Sequence, residues 1–149
     1  MMAAEAVRPV EILLIEDNPG DVELTREAFA ESSVRSNIHV ARDGETALAF
    51  LRRQGAYVHA PRPDLILLDL NLPGLDGKAV LAAIKADPSL RSIPVIVLSS
   101  SEAEDDVARA YQLLANCYVA KPVGFGSYSE AIHAIEQFWF SVVKLPGSA

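Results

Sequence analysis

Charged and hydroxyl side chains follow four short apolar runs of the sequence, directly where each run ends. Glu16 and Asp17 follow the first run, Asp69 follows the second, serines beginning at Ser99 follow the third, and Lys121 follows the fourth. Carboxylate oxygens bind hard cations such as Mg²⁺, and a carboxylate can also attack phosphorus. A lysine and a hydroxyl beside them could neutralise and hydrogen-bond a phosphoryl group. If these side chains meet, the sequence predicts a phosphoryl-binding site that also holds a cation.

The apolar runs themselves predict the strands that position these side chains. Continuous runs of Ile, Val and Leu of strand length are typical of strands buried on both faces of a parallel sheet. A weaker, alternating run predicts an edge or near-edge strand. In chain order, the predicted strands span residues 10–15, 38–41, 65–68, 93–98 and 117–120.

Helix-length segments with start signals lie between the predicted strands. The candidate caps are Asp17-Asn18-Pro19, Asp43, Asp76 and a capping box at 101–104. A last helix is predicted from about 126 to 144. The connection 57–63 is longer, contains proline and is expected to be a surface loop. The resulting order, βα five times, predicts an α/β fold: a flavodoxin-like, doubly wound five-stranded parallel sheet of order 2-1-3-4-5.

This topology predicts that the candidate residues converge. The carboxyl ends of parallel strands share one edge, and strands one and three are neighbours at the switch point where ligands bind. Glu16, Asp17 and Asp69 should meet there, with Lys121 approaching from strand five. Three close carboxylates and one lysine require raised pKa values or a bound cation. The simpler alternatives, Asp17 as a helix cap and Lys121 as a surface lysine before a turn, do not explain why all four strand ends carry such residues.

Composition limits the remaining classes of function. A chain of 149 residues, 50% hydrophobic and 22% charged, indicates one globular domain over 1–149 with a core at about 10–143. The net charge of −7 argues against nucleic acid or an anionic membrane as partner. No apolar run reaches the roughly 18 residues that span a bilayer, and the first ten residues do not have the pattern of a signal peptide. With Cys117 as the single cysteine, we expect a cytoplasmic protein.

The motifs in their order resemble the receiver domain of two-component response regulators. The resemblance is carried by Glu16-Asp17 after strand one, Asp69 after LILL, the segment 71–77 (NLPGLDG), Ser99 after VIVL, and 118–122 (YVAKP). It extends from about residue 10 to residue 143.

The resemblance implies roles for the residues at the strand ends. Asp69 would be the phosphoacceptor, and Mg²⁺ would be bound directly by Asp17, Asp69 and the backbone carbonyl of Asn71. Glu16, which stands where Asp is commoner, would reach the metal through water. Lys121 would pair with the phosphoryl group.

The resemblance also implies a switch. Ser99 would hydrogen-bond the phosphoryl group and shift the loop into the fourth helix, while Tyr118 stands at the switch aromatic position. The surface of helix four, strand five and helix five would then change state. Lys121-Pro122 matches the family's usual cis peptide.

Within the family, the chain is most similar to single-domain regulators that serve bacterial and cyanobacterial phytochrome histidine kinases. The segments 12–21, 57–63 and 138–146 carry this similarity. It implies phosphotransfer from a sensor histidine kinase of the phytochrome type, and an output through a target protein or a further phosphotransfer step. The only catalysis expected is self-catalysed phosphotransfer and autodephosphorylation.

Three alternatives remain open from the residues. A hydrolase of the haloacid-dehalogenase type also uses an aspartyl nucleophile with Mg²⁺, but it wants a second Asp at the place of Asn71. A degenerate receiver acting as a constitutive adaptor is disfavoured by the intact set of Asp17, Asp69, Ser99 and Lys121. A flavin or nucleotide-binding module would need a glycine-rich loop after strand one, where GxGxxG is missing.

Apolar residues near the C-terminus predict an interface. One stripe at helical spacing should cover the sheet, and further apolar residues extend beyond it. We therefore expect a homodimer through helix four, strand five, helix five and the C-terminal segment, ahead of a helix end that folds over its own domain. The stripe comprises Phe125, Tyr128, Ile132, Ile135, Trp139 and Val142, and the additional residues are Phe138, Phe140, Val143 and Leu145.

Overall fold

The apolar runs form the predicted parallel sheet. The structure, a computed structural model, describes residues 8–32, 34–142 and 145–146. Its strands are β1 (Val10–Ile15), β2 (Ser36–Ala41), β3 (Leu65–Leu68), β4 (Val95–Ser99) and β5 (Cys117–Ala120). They pair in parallel in the order β2-β1-β3-β4-β5. The flavodoxin-like topology is confirmed.

Helices cover both faces of this sheet, which explains why the central strands are apolar without alternation. The helices are α1 (Pro19–Ala30), α2 (Gly44–Leu51), α3 (Gly77–Ala86), α4 (Glu104–Gln112) and α5 (Phe125–Glu136). Along β1, Leu13 and Ile15 pack in the cluster that contains residues of α2, α3 and α4. Ile12 and Leu14 pack in the opposite cluster, with residues of α1 and α5.

Strand β5 differs from the expectation of a strand buried on both faces. All four of its residues are only partly buried, whereas every residue of β3 and β4 is buried. The reason is its place at the edge of the sheet, where no further strand of the described residues pairs with it. The Tyr111 hydroxyl takes part of that role, because it accepts the outward Tyr118 N–H at 3.0 Å.

The predicted helix starts are correct at three helices and wrong at α4. Asn18, Asp43 and Asp76 each accept a backbone N–H from the first turn of α1, α2 and α3. Helix α4 begins at Glu104, and its cap residue, Ala103, has no side chain that could accept a hydrogen bond from the first turn. Ser101 lies too far from the first turn for a capping box, and its hydroxyl instead donates to Asp106 at 2.5 Å.

Two further expectations need correction. Among the described residues there is no cis peptide bond, so Lys121–Pro122 is trans, the isomer that an X–Pro bond intrinsically prefers. The connection 57–63 is not wholly a surface loop. It begins in a 3-10 turn (Gly55–Tyr57), Tyr57 packs against Phe50 with ring centroids 5.6 Å apart, and Pro63 is buried.

The C-terminal aromatic residues divide differently from the prediction. After α5 the chain continues as a π-helical segment, Gln137–Val142. This wider turn lets Trp139 and Phe140 both pack against the α1 and α5 cluster, and the rings of Phe140 and Phe29 lie 6.1 Å apart. Phe138 remains 51% exposed. The helix end therefore folds partly over its own domain, against α1.

Only part of the predicted apolar stripe lies within the described residues. Val143 and the side chains of Phe125 and Val142 lie outside the described residues. Tyr128 and Ile132 are buried as predicted. Within the described part of the chain, no helix is long and apolar enough to cross a membrane.

Candidate functional site

The ends of β1 and β3 bring the acidic residues together. Asp69 N–H donates to the Ile15 carbonyl at 3.0 Å, which continues the β1–β3 pairing past the strands and aligns Asp69 with Glu16 and Asp17. Gly77 holds the loop after Asp69 close, because a Cβ there would lie 2.7 Å from the Asp69 carbonyl oxygen. The sheet edge and this tight contact together fix the backbone of Asp69.

Lys121 joins three carboxylates at this edge. Its Nζ lies 2.6 Å from Glu16 Oε1, 2.8 Å from Asp21 Oδ2 and 3.1 Å from Asp69 Oδ2. The other oxygen of Glu16 accepts the Asn18 N–H at 3.2 Å. Lys121 is placed by β5, whose register continues as the Lys121 N–H donates to the Ser99 carbonyl at 2.7 Å.

Burial and charge perturb the ionisation of this cluster. Burial raises the pKa of Glu16 to about 7; Lys121 opposes this shift and Asp69 adds to it. Burial lowers the pKa of the Lys121 ammonium group, but hydrogen bonds to Asp21 and Glu16 outweigh burial, and the pKa lies above its ordinary value. The lysine therefore stays charged, and the cluster still carries more negative than positive charge.

The donor set fits a hard divalent cation. Glu16, Asp17 and Asp69 each offer a carboxylate oxygen, and these oxygens lie within 4.8 Å of one another. Asp17 is exposed, while Glu16 is 1% and Asp69 7% exposed. All-oxygen ligands with one side open to water match what Mg²⁺ and Mn²⁺ require. An acidic pocket of this kind also needs positive charge beyond that of Lys121.

A cavity of about 500 Å³ opens over the cluster. Its lining residues come from the loops after β1, β3, β4 and β5 and from the first turn of α1, and they are Asp17, Asn18, Pro19, Asp21, Asp69, Asn71, Ser100 and Lys121. The cavity is large enough for a phosphoryl group, a cation and water. The side chain at its β4 side is Ser100, whereas Ser99 is fully buried as the last residue of β4.

The two predicted switch residues, Ser99 and Tyr118, contact the same loop. Ser99 Oγ accepts the Ser101 N–H at 3.3 Å, and the Tyr118 hydroxyl donates to the Ser101 carbonyl at 2.7 Å. Tyr118 already packs against the α2, α3 and α4 cluster. Both side chains thus meet at Ser101, in the loop between β4 and α4.

Sequence reasoning missed Asp21. Asp21 lies in the first turn of α1, and its carboxylate binds Lys121 more closely than Asp69 does. The sequence offered no local signal, because Asp17 lies before the helix cap Asn18 and the Asp21–Lys121 contact joins residues 100 apart. Asn71 lines the cavity and its N–H donates to Asp69 Oδ1 at 3.1 Å, while metal binding by its carbonyl stays a prediction.

Comparison with known proteins gives this site a family. Residues 12–133 match the family described as the response regulator receiver domain. The chain is 45% identical over 147 residues to the response regulator Rcp1 of Synechocystis sp., covering 99% of this chain and all of that protein.

Solved structures agree with the sequence match. The phosphorylated cyanobacterial phytochrome response regulator RcpA superposes with a TM-score of 0.92 at 48% identity, over 94% of this chain and 100% of that one. The Mn²⁺-bound form of Rcp1 superposes with a TM-score of 0.90 at 46% identity, over 93% and 100% of the two chains. The sheet order, the acidic pocket and these matches lead to one conclusion: the chain belongs to the response regulator receiver domain family and is close to the phytochrome response regulators.

Proposed function

We propose that this protein is a cytoplasmic single-domain response regulator, with residues 1–149 acting as one receiver, that accepts a phosphoryl group from a sensor histidine kinase onto Asp69. The observation that carries the proposal is the Asp69 carboxylate itself. It lies in the wall of the cavity, one oxygen accepts from Lys121 at 3.1 Å, and the other accepts the Asn71 N–H. A carboxylate held in this way can attack an incoming phosphorus while Lys121 meets the charge of the transferring group.

The phosphoryl transfer requires only the Asp69 carboxylate and the phosphohistidine of the kinase as reactants. An oxygen of Asp69 attacks the phosphorus of a phosphohistidine on the kinase, the P–N bond breaks, and the histidine nitrogen leaves with the electron pair. Water then hydrolyses the acyl phosphate, which restores the Asp69 carboxylate and releases inorganic phosphate. Mg²⁺, held by Asp17, Asp69 and the Asn71 carbonyl and through water by Glu16, would supply positive charge for the phosphoryl oxygens.

Phosphorylation with a small phosphodonor tests the assignment of Asp69. Incubation with Mg²⁺ and acetyl phosphate should add one phosphoryl group by intact mass, in an acid-stable, base-labile form. Asp69→Asn should remove the adduct, while Asp105→Asn, which changes an exposed carboxylate of α4, should retain it. An adduct that survives in Asp69→Asn would show that another side chain is the acceptor. Steady turnover of a small phosphate ester would instead favour the hydrolase alternative.

We infer that the kinase partner is of the phytochrome type. The inference is supported by the high identity to RcpA and Rcp1 over nearly the whole chain. Phosphotransfer should be several-fold faster from a phytochrome histidine kinase than from an unrelated histidine kinase at equal concentration. Equal rates from both kinases would count against this partner.

We also propose that the protein forms a homodimer through α4, β5, α5 and the C-terminal segment, and that phosphorylation switches the state of this surface. Exposed apolar residues support the proposal: Tyr111 and Leu114 at the end of α4 and Phe138 after α5 are 48%, 64% and 51% exposed. Since Trp139 and Phe140 pack on the core, a point change is a cleaner test than truncation. Phe138→Ser should shift sedimentation toward monomer, and full-length protein that sediments as a monomer at micromolar concentration would refute the dimer.

A further inference from the structure

Ser101 connects the two predicted switch residues to each other and to the helix beyond them. Its N–H donates to Ser99 Oγ at 3.3 Å, its carbonyl accepts the Tyr118 hydroxyl at 2.7 Å, and its own hydroxyl donates to Asp106 Oδ2 at 2.5 Å. The same hydroxyl accepts the Ala103 N–H at 3.3 Å. Ser101 therefore takes part in four hydrogen bonds, none of which caps α4.

Asp106 extends this chain of contacts to a second helix. It lies in the first turns of α4, and its other carboxylate oxygen binds Lys78 Nζ of α3 at 2.5 Å. The side chains of Lys78 and Asp106 are about one-third exposed, at 33% and 30%. The β4–α4 loop is thus attached through one serine hydroxyl to α4, and through Asp106 to α3.

The hydrogen bonds of Ser101 to Ser99 and to Asp106 differ in strength, and this difference favours the transfer of a loop movement to α4. The bond from Ser101 N–H to Ser99 is at the long end of the hydrogen-bond range, so a displacement of Ser99 by a few tenths of an ångström breaks it. The bond from Ser101 to the Asp106 carboxylate is short and charge-assisted, which makes it the stronger one. When Ser99 moves, the loop is released at Ser99 and can shift, and the stronger bond from Ser101 to Asp106 carries that shift to α4.

We propose that the side chains of Ser101, Asp106 and Lys78 form a relay that couples the phosphorylation site to the position of α4, with Ser101 as a positioning residue. The inference deepens the proposed function and rests on it, because the signal that the relay transmits is the phosphoryl group on Asp69. Without the Ser101 hydroxyl the loop still contacts Ser99 and Tyr118 through its backbone, but it is no longer attached to Asp106. Phosphorylation should then proceed, while α4 no longer responds.

Hydrogen exchange of the α4 amides tests the relay in two states. In unphosphorylated Ser101→Ala, residues 104–112 should exchange about threefold faster or more than in the wild type, within the range expected for the loss of one hydrogen bond. With Mg²⁺ and acetyl phosphate, Ser101→Ala should take up phosphate to the wild-type extent but lose most of the change in α4 exchange. Ser101→Thr, which keeps the hydroxyl, should restore both properties.

Lys78→Met tests the far end of the relay without altering the loop. Like Ser101→Ala, this change should reduce the effect of phosphorylation on α4 amide exchange. An unchanged circular dichroism spectrum would exclude misfolding as the cause. A wild-type α4 response in phosphorylated Ser101→Ala would overturn the relay while leaving the proposed function intact. If the wild-type protein takes up no phosphate, both the proposed function and the relay are refuted. If the α4 amides of unphosphorylated Ser101→Ala exchange at the wild-type rate, the attachment of the loop to α4 is refuted.

Discussion

Replacing Lys121 by methionine should destabilise the fold as well as alter phosphotransfer. Lys121 Nζ contacts carboxylates of Glu16, Asp21 and Asp69 at 2.6, 2.8 and 3.1 Å. The side chains of Lys121, Glu16 and Asp69 are 9%, 2% and 8% exposed, so removing the ammonium group leaves buried negative charge without its partner. Methionine keeps most of the volume and isolates the effect of charge.

The magnitude follows from burial. Breaking a buried ion pair by removing one partner costs about 3–5 kcal/mol. Asp21 is 25% exposed and the cavity is open to water, which weakens the interactions. We therefore expect a loss of about 2–4 kcal/mol in the free energy of unfolding at about pH 8.

The pH dependence has a definite sign. The pKa of Glu16 is about 7 in the folded protein against an ordinary value of 4.5, so the folded state binds more protons between these values. Stability from this group is therefore highest at low pH and decreases as the pH rises through 7. Without Lys121 the ionised carboxylates repel more strongly, so the loss in Lys121→Met should be larger at about pH 8 than at about pH 5.5.

Urea denaturation at both pH values, with and without millimolar Mg²⁺, measures these effects. Mg²⁺ should restore more stability to Lys121→Met than to the wild type, because the cation replaces the missing positive charge. Lys78→Met, which changes a lysine in an ion pair that is only about one-third exposed, is the matched control and should show little pH dependence. A loss in Lys121→Met that is the same at both pH values and insensitive to Mg²⁺ would refute this reasoning.

Three further changes probe separate features. Glu136→Gln should raise the melting temperature at neutral pH by the equivalent of about 1 kcal/mol, and much less near pH 4.5. Burial raises the pKa of Glu136, and its Oε2 is buried without a hydrogen-bond partner in the described residues, so the ionised form is disfavoured as the pH rises. Equal gains at both pH values would contradict this prediction. Leu114→Gly should stabilise the monomer by up to about 1 kcal/mol in urea titration, because Leu114 has φ +72° and the relief of about 1–2 kcal/mol exceeds the about 0.5–1 kcal/mol entropic cost of glycine. The titration is done in the Phe138→Ser background, where the proposed dimer is weakened, and a destabilised variant there would show that the exposed side chain contributes to the fold. Asp17→Asn should weaken Mg²⁺ binding in a calorimetric titration and slow phosphorylation, and a wild-type rate would show that Asp17 is not a ligand.

The sequence by itself determined the architecture. Runs such as LILL at β3 have no polar face, so each must be covered on both sides, and short right-handed connections then allow few strand orders. The bounds of β1, β3 and β5 match the prediction, and the observed order is the predicted one. The same logic put Glu16, Asp17, Asp69 and Lys121 at one edge, because the ends of parallel strands coincide. Their roles in metal binding and phosphotransfer remain predictions.

Tertiary structure decided which side chains meet within that edge. Asp21 and Lys121 are 100 residues apart, and their contact depends on where the first turn of α1 lies relative to the end of β5, which no local pattern encodes. Ser101 has the spacing of a helix cap, but α4 begins three residues later, and this frees its hydroxyl for Asp106. Likewise, helical spacing places Trp139 and Phe140 in different directions, yet the wider turn of the π-helical segment lets both pack on one cluster. Periodicity reports the burial of a single element, whereas these contacts depend on the relative positions of elements distant in sequence, and only the packed structure determines them.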